Sequence, residues 1–322
     1  MAGGTDDPRA RPYPVSNMQF LKSGFRSGKL ATCAGLLLIV FYIIPEFFGG
    51  VRDVPISSPL SDGAQLGETV DLASLDEVFA ALDYHLEDVR NGQPVPRLYV
   101  DQVPVDIDSV PDVDKRKDTF IKLVLPLILS VNERIAAQRE RLTALLDAKV
   151  TGRTLAAADR HWLDNLAARY RTDPDDPFAL LDRVDAVPVS LALAQAIEES
   201  GWGASRFARE GNALFGQRIW TGEQGLVPEK RAENATYMVR RFDSIADSIS
   251  AYIHNLNTHP AYEEFRRARA ELQDHSASGP DSLGLVATLR GYSEKGMEYV
   301  NNLRLLISSN RLQDFEAAEL AR

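Results

Sequence analysis

Residues 191–203 have the sequence "LALAQAIEESGWG", an apolar stretch that ends on two glutamates and a tryptophan between glycines. On a helical wheel its apolar side chains cover most of the circumference, which predicts a helix that is buried almost all round. Gln195 and Glu199 lie one turn apart and share the narrow polar flank that remains. The pattern therefore singles out Glu199, and not its neighbour Glu198, as a carboxylate directed against an apolar wall.

Gly201 is well placed to end this helix, so Glu199 is expected at its C-terminal end. The helix dipole disfavours a negative charge there, but by only about 0.3–1 kcal/mol, so burial has to supply most of any rise in pKa. A carboxylic acid that stays protonated near neutral pH can protonate a glycosidic oxygen. The alternative is that Glu198 and Glu199 face solvent at an ordinary helix end.

The chain around this segment is predicted to be mainly helical from residue 115 onward. Ser244 is a good N-cap for one of these helices, which Pro260 ends. Strand-forming residues occur chiefly between residues 219 and 242, where "TYMVRRF" follows a stretch containing Gly, Pro and Asn. This predicts one helical domain with a small β excursion. Apolar spacing predicts the following helices: 117–148, 157–170, 188–200, 244–259, 281–290 and 297–309.

Residues 30–48 are predicted to be a transmembrane anchor. At about 1.5 Å per residue they span roughly 28 Å, close to the thickness of the bilayer hydrocarbon. Five basic residues precede the run, so residues 1–29 are expected to be a cytoplasmic tail. A cleaved signal peptide and a buried core helix are the competing interpretations.

Residues 49–114 are predicted to form an acidic, proline-rich stalk. Of the net charge of −10, residues 51–114 carry 14 acidic against 3 basic side chains, so the rest is close to neutral. A short helix is expected between Asp76 and Val89, followed by extended backbone where prolines recur. The region is expected to act as a spacer.

The remaining composition excludes several classes of function. The single cysteine, Cys33, rules out an intrachain disulfide and a cysteine-built metal site. His254 and His259 are five residues apart and do not share a helix face, so no metal is expected. No basic stripe suggests nucleic acid, and no phosphate loop or nucleotide fingerprint occurs, so no cofactor is expected.

Residues 192–217, "ALAQAIEESGWGASRFAREGNALFGQ", closely resemble the catalytic segment of bacterial glucosaminidases of glycoside hydrolase family 73. The likeness is nearest to the Bax-type branch and extends over roughly residues 94–315. It implies a lysozyme-like, mainly α-helical domain with a small β-lobe beside a cleft, assigned to residues 115–322. The implied activity is cleavage of the β-1,4 bond after N-acetylglucosamine, usually in peptidoglycan. The family's catalytic acid corresponds to Glu199, the residue that the helical wheel selects.

The resemblance also nominates residues around the acid. Tyr262 matches a tyrosine of the family's cleft, and Asn212 matches an asparagine that is expected to hold the loop after the acid. Trp202 and Phe215 are predicted either to stack on sugars or to pack beneath the acid. Together these four residues form the predicted substrate-binding set.

The family's second carboxylate comes from the β-lobe. Glu233 is chosen over Glu223 and Glu229 because it precedes the strand "TYMV", although a solvated loop charge is the alternative. Retaining, inverting and substrate-assisted mechanisms all stay open.

The sequence thus predicts a single-pass protein of the bacterial inner membrane with a periplasmic peptidoglycan hydrolase domain. Its partners would be glycan strands and, through the anchor, the membrane. A lytic transglycosylase and a non-catalytic wall-binding scaffold are the competing functions.

Overall fold

The computed structural model describes residues 64–66, 71–220, 225–229, 236–275 and 281–322. The predicted tail (1–29), the predicted anchor (30–48) and the first part of the predicted stalk lie outside these residues. Within the described part of the chain, no helix is both long and apolar enough to span a bilayer.

Helices dominate the described residues, and four of them match their predicted bounds closely: α4 (Ala157–Tyr170), α6 (Val189–Ser200), α8 (Ile245–Thr258) and α11 (Met297–Ser309). The long helix α3 (Val113–Val150) continues through Pro126, which lies inside it. The described residues also include short 3-10 helices at Ile107–Ser109, Pro260–Tyr262, Ala287–Gly291 and Leu312–Phe315. The α-helices are α1 Leu72–Ala81, α2 Leu86–Arg90, α3 Val113–Val150, α4 Ala157–Tyr170, α5 Pro177–Arg183, α6 Val189–Ser200, α7 Arg206–Gly211, α8 Ile245–Thr258, α9 Glu263–His275, α10 Ser282–Val286 and α11 Met297–Ser309.

Two small sheets accompany the helices. Strands β1 (Ala64–Leu66) and β2 (Leu98–Val100) pair in parallel. The second sheet is antiparallel, with β5 (Met238–Arg240) between β3 (Arg218–Ile219) and β4 (Gly225–Leu226). This second sheet is the β excursion predicted around "TYMVRRF", so the mainly helical fold with a small β-lobe is confirmed.

Helix α6 lies at the centre of the domain. Every side chain from Val189 to Ile197 is buried, as the apolar wheel predicts. It packs against α3, α10, α11 and the 3-10 helix at Leu312–Phe315. Because α6 is enclosed by several elements, the two ends of this helix are held in fixed positions.

A buried arginine fixes the segment that leads into α6. Arg269 of α9 is fully buried, and its Nε lies 3.2 Å from Oδ2 of Asp185. Its guanidinium also donates to the carbonyl oxygens of Ala186 (3.0 Å) and Asp182 (2.9 Å) and to Oδ1 of Asn257 (2.8 Å). This ion pair therefore ties the α5–α6 connection to α8 and α9.

The region after residue 71 differs from the expectation of a stalk that continues to residue 114. Leu75, Phe79, Tyr99 and Ile107 are buried in the same core as α6. Val95 donates its N–H to the carbonyl of Glu319 at 2.8 Å, which joins this region to the C-terminal end. The prolines do prevent long helices here, but the apolar residues between them are enough to anchor an irregular chain on the domain.

Candidate active site

Glu199 lies in the last turn of α6, and its side chain is half-buried. Gly201 ends the helix in the left-handed conformation, with φ of 59°, and donates its N–H to the carbonyl of Ile197 at 2.9 Å. Residues without a Cβ adopt this conformation at little cost. The helix therefore ends one residue after Glu199, whose side chain lies at the edge of the core.

The G-W-G turn is closely packed against α3. Gly201, Trp202 and Gly203 all have positive φ (59°, 59° and 76°), and a Cβ on Gly203 would lie 3.0 Å from the ring of Phe120. The Trp202 ring packs edge-on against Phe120, with centroids 6.1 Å apart. The structure shows Trp202 packed on Phe120 of α3, and its role at the acid stays a prediction.

Four buried tyrosines surround the carboxyl group of Glu199. The hydroxyl of Tyr299 donates to Oε1 at 3.0 Å. Tyr292 stacks on Tyr299 with centroids 5.4 Å apart, and Tyr262 lies 5.9 Å from Tyr292. Burial raises the pKa of each of these hydroxyls and of Tyr252, and the charge of Glu199 raises each pKa further. The site is thus a carboxyl group within a cluster of neutral phenols.

This environment changes the acidity of Glu199. Burial raises the pKa of Glu199 to about 8, and the nearby charge of Glu198 adds to the rise. The hydrogen bond from Tyr299 and the positive charge of Lys295 lower this pKa in part. The carboxyl group therefore keeps its proton at neutral pH, which is the protonation state that a general acid requires.

Glu198 has a different environment although it is the next residue. Its Oε1 accepts a hydrogen bond from the side chain of Asn302 at 3.4 Å and lies 3.8 Å from Nζ of Lys295. Both partners belong to α11 or the segment just before it. Successive helix positions differ by about 100°. The pair thus divides into one carboxylate beside a lysine and one carboxyl group among tyrosines.

Two of the predicted substrate-binding residues lie in the interior. Asn212 accepts from the N–H of Val103 at 3.2 Å and donates to the carbonyl of Phe242 at 3.2 Å, so it holds the loop after α7. Phe215 is only 1% exposed, and its ring stacks on Tyr252 with centroids 3.9 Å apart. A buried ring presents no face to a sugar, so Phe215 is a core residue that packs on Tyr252.

The loop that follows Phe215 reaches Glu199 at Gly216. Gly216 has φ of +59°, and a Cβ built on it would lie 3.9 Å from Oε2 of Glu199. The two carboxyl oxygens are therefore distinct, because Oε1 meets Tyr299 and Oε2 faces this glycine. Of the predicted substrate-binding residues, Tyr262 belongs to the tyrosine cluster around Glu199.

The predicted second carboxylate, Glu233, and the alternative Glu223 lie outside the described residues. Glu229 is described, is exposed, and lies 3.6 Å from Nε of Arg206. The role of Glu233 stays a prediction.

Gln195 is predicted only as a neighbour of Glu199 on the polar flank, not as the hydrogen-bond partner of Tyr252 and Tyr299. Three tyrosines of the site were not predicted: Tyr252, Tyr292 and Tyr299. Each occupies a helical or near-helical position that is expected to be buried. A buried tyrosine hydroxyl needs a hydrogen-bond partner, and this requirement was the available signal.

Comparisons with known proteins identify the family of the chain. Residues 178–312 match the glucosaminidase family, described as mannosyl-glycoprotein endo-beta-N-acetylglucosaminidase. The protein Bax of Escherichia coli (strain K12) is 35% identical over 215 residues, which cover 64% of this chain and 74% of that protein. The catalytic domain of the autolysin Auto from Listeria monocytogenes matches over 54% of this chain and 96% of its own, with 17% identity and a TM-score of 0.28.

The family match and the Bax relative define the protein class as a glycoside hydrolase. The chain belongs to the glucosaminidase family and is similar to the Bax-type branch.

Proposed function

We propose that this chain is a membrane-anchored peptidoglycan hydrolase that cleaves the β-1,4 bond after N-acetylglucosamine, with Glu199 as the general acid. The observation that carries the proposal is the half-buried carboxyl group at the end of α6, whose pKa burial raises to about 8. Family membership supports a glycan containing N-acetylglucosamine as the substrate.

In this mechanism the proton on Glu199 passes to the glycosidic oxygen as the bond to the anomeric carbon breaks. The leaving sugar departs as an alcohol, and water finally adds at the anomeric carbon. Glu233 is the proposed second carboxylate. A separation of the two carboxyl groups of about 5–5.5 Å would favour a retaining mechanism, and about 6.5–9.5 Å an inverting one. The acetamido group of the substrate is the alternative nucleophile.

The test is product analysis of purified peptidoglycan digested by the full-length protein in detergent. Mass spectrometry should find new hydrated reducing ends on N-acetylglucosamine. Anhydro-muramic ends would identify a lytic transglycosylase instead, and glycan binding without new ends would identify a scaffold.

The matched variants are Glu199→Gln and Glu198→Gln. Glutamine keeps the shape of the side chain but removes the transferable proton, so Glu199→Gln should lower the rate by about 10²–10⁴-fold. Glu198 lies beside Lys295 and Asn302, so Glu198→Gln should keep most activity. If Glu198→Gln is inactive and Glu199→Gln is active, the acid is assigned to the wrong residue.

The anchor is supported by the uncharged run of residues 30–44 and by the basic residues before it. We propose a single span of the bacterial inner membrane, with residues 1–29 in the cytoplasm and the hydrolase domain in the periplasm. Protease added to intact spheroplasts should digest residues 51–322. Full protection of these residues would reverse the topology.

A further inference from the structure

Gln195 is a fully buried polar side chain one helical turn before Glu199. Both ends of its amide contact tyrosines on other helices. The hydroxyl of Tyr252, on α8, donates to Oε1 of Gln195 at 2.6 Å. Nε2 of Gln195 donates to the hydroxyl oxygen of Tyr299, on α11, at 2.9 Å. The amide thus joins two tyrosines that are 47 positions apart in sequence.

These hydrogen bonds have one direction. The hydroxyl of Tyr299 accepts from Gln195 and uses its single proton to donate to Oε1 of Glu199 at 3.0 Å. Burial raises the pKa values of Tyr252 and Tyr299 well above their ordinary values, so both hydroxyls keep their protons. Every donor in the chain Tyr252–Gln195–Tyr299 therefore points toward Glu199.

The direction determines which oxygen of Glu199 carries the proton. Because Oε1 accepts from Tyr299, the proton of the neutral acid belongs on Oε2, the oxygen that faces Gly216. A Tyr299 hydroxyl without its bond from Gln195 could turn and accept the proton of Glu199. The acid would then donate into the protein core and not to a substrate.

We propose that Gln195 is a positioning residue, which holds the Tyr299 hydroxyl as a donor to Glu199 and so keeps the transferable proton on Oε2. This inference rests on the proposed function of Glu199 as the general acid. A core role alone would require only the volume of the side chain. The positioning role requires its amide N–H.

Several other groups face the carboxyl group of Glu199 and are unchanged in a Gln195 variant. Glu198 lies on the same helix, and Lys295 precedes α11. Two of the phenols come from α8 and α11. The other two come from the 3-10 helix Pro260–Tyr262 and from the segment between the 3-10 helix Ala287–Gly291 and α11. These phenols are Tyr252, Tyr262, Tyr292 and Tyr299.

The decisive variant is Gln195→Met, which keeps the length of the side chain and removes both hydrogen bonds. The rate on solubilised peptidoglycan fragments, at a concentration far below saturation, is measured against pH for the full-length protein. The alkaline limb of this profile reports the acid of the free enzyme. We expect a rate loss of about 10- to 100-fold, as for a misplaced catalytic group. The alkaline midpoint should rise, because a weaker donor stabilises the carboxylate less.

Tyr252→Phe is the second variant, and it decides the question if Gln195→Met does not fold. It keeps the ring that stacks on Phe215 and removes only the hydroxyl at the far end of the chain. The alkaline midpoint should move in the same direction by a smaller amount. Leu191→Ala is the control, because Leu191 is fully buried on α6 and makes no such hydrogen bond. It should lower the melting temperature without moving the midpoint.

The inference is overturned if folded Gln195→Met or, failing that, Tyr252→Phe keeps both the wild-type rate and the wild-type midpoint. A midpoint that moves equally in Leu191→Ala would also overturn it, since loosened packing would then be the cause. The proposed function fails separately, if Glu199→Gln stays active. If Glu199→Gln is inactive and Gln195→Met keeps the wild-type rate and midpoint, the positioning role is rejected while the proposed function stands.

Discussion

The two ends of α6 each meet a half-buried glutamate, and the two carboxyl groups have different surroundings. At the N-terminal end, Glu316 accepts from the backbone N–H groups of Val189 at 2.9 Å and Ser190 at 3.2 Å. It also accepts from the hydroxyl of Ser190. At the C-terminal end, Glu199 has one hydrogen bond among the described residues, from Tyr299.

Burial raises the pKa of both carboxyl groups, and the number of hydrogen bonds that each accepts then distinguishes the two groups. For Glu316, hydrogen bonds from Ser190 and Val189 oppose the rise, and the N-terminal end of a helix favours a negative charge. For Glu199, burial raises the pKa to about 8, and the C-terminal end of the helix also disfavours charge. The same buried helix thus meets a hydrogen-bonded structural carboxylate at one end and, in the proposed function, a proton donor at the other.

Placing glutamine at each end should separate the two roles, and this is the largest effect we expect. Glu199→Gln should reduce activity by about 10²–10⁴-fold with little loss of stability. Glu316→Gln should keep the activity per folded molecule. It should lose about 1.5–3 kcal/mol of unfolding free energy, because an amide cannot accept from all of these donors.

Chemical denaturation and the rate of peptidoglycan digestion measure the two quantities. If Glu316→Gln keeps the wild-type free energy of unfolding, the hydrogen bonds that Glu316 accepts from Val189 and Ser190 contribute nothing to stability. An unstable Glu199→Gln would mean that the acid is also a structural group.

A second prediction concerns stability against pH. The pKa of Glu199 is raised from 4.5 to about 8 on folding, so the folded state holds a proton that the unfolded state releases between these values. The stability from this group is complete below about pH 4.5 and is lost as pH rises toward 8, by an amount on the order of a few kcal/mol. Glu199→Gln has no such loss.

The measurement compares the melting temperatures of wild type and Glu199→Gln at about pH 5 and about pH 9. The melting temperature of the variant relative to that of the wild type should rise with pH. The contributions of the other titrating groups are the same in both proteins and cancel in the difference. A constant difference would show that the carboxyl group of Glu199 is not held protonated by the fold.

Much of this comparison could be anticipated from local patterns. The wheel over residues 191–200 predicts a buried helix with Glu199 on its polar flank, and Gly201 ends the helix as expected. The bounds of α4 and α11 follow from apolar spacing in the same way. These features depend on residues within a few turns of one another, which a single sequence displays directly.

The partners of Glu199 could not be anticipated in this way. Tyr299 lies 100 positions after Glu199, and Glu316 lies 127 positions after Val189. Helical periodicity indicates that Tyr299 is buried but not which carboxyl group its hydroxyl meets. The segment after residue 71 differs from the predicted stalk for another reason. Its local pattern is dominated by prolines and acidic residues, and the sparse apolar side chains that the domain buries do not stand out among them.

The smallest effect that we predict concerns Oε2 of Glu199, the oxygen that faces Gly216. Gly216 has φ of +59°, so Gly216→Ala should cost about 1–2 kcal/mol of stability from backbone strain. The added methyl group would lie 3.9 Å from Oε2, an ordinary contact that leaves Glu199 in place but occupies one side of the oxygen. The matched control is Gly152→Ala, because Gly152 has φ of +75° and no atom within 4 Å of an added Cβ. Both variants should lose similar stability, while only Gly216→Ala should also lose activity, by a few-fold. Equal activity in the two variants would mean that the substrate does not approach Oε2 from the Gly216 side.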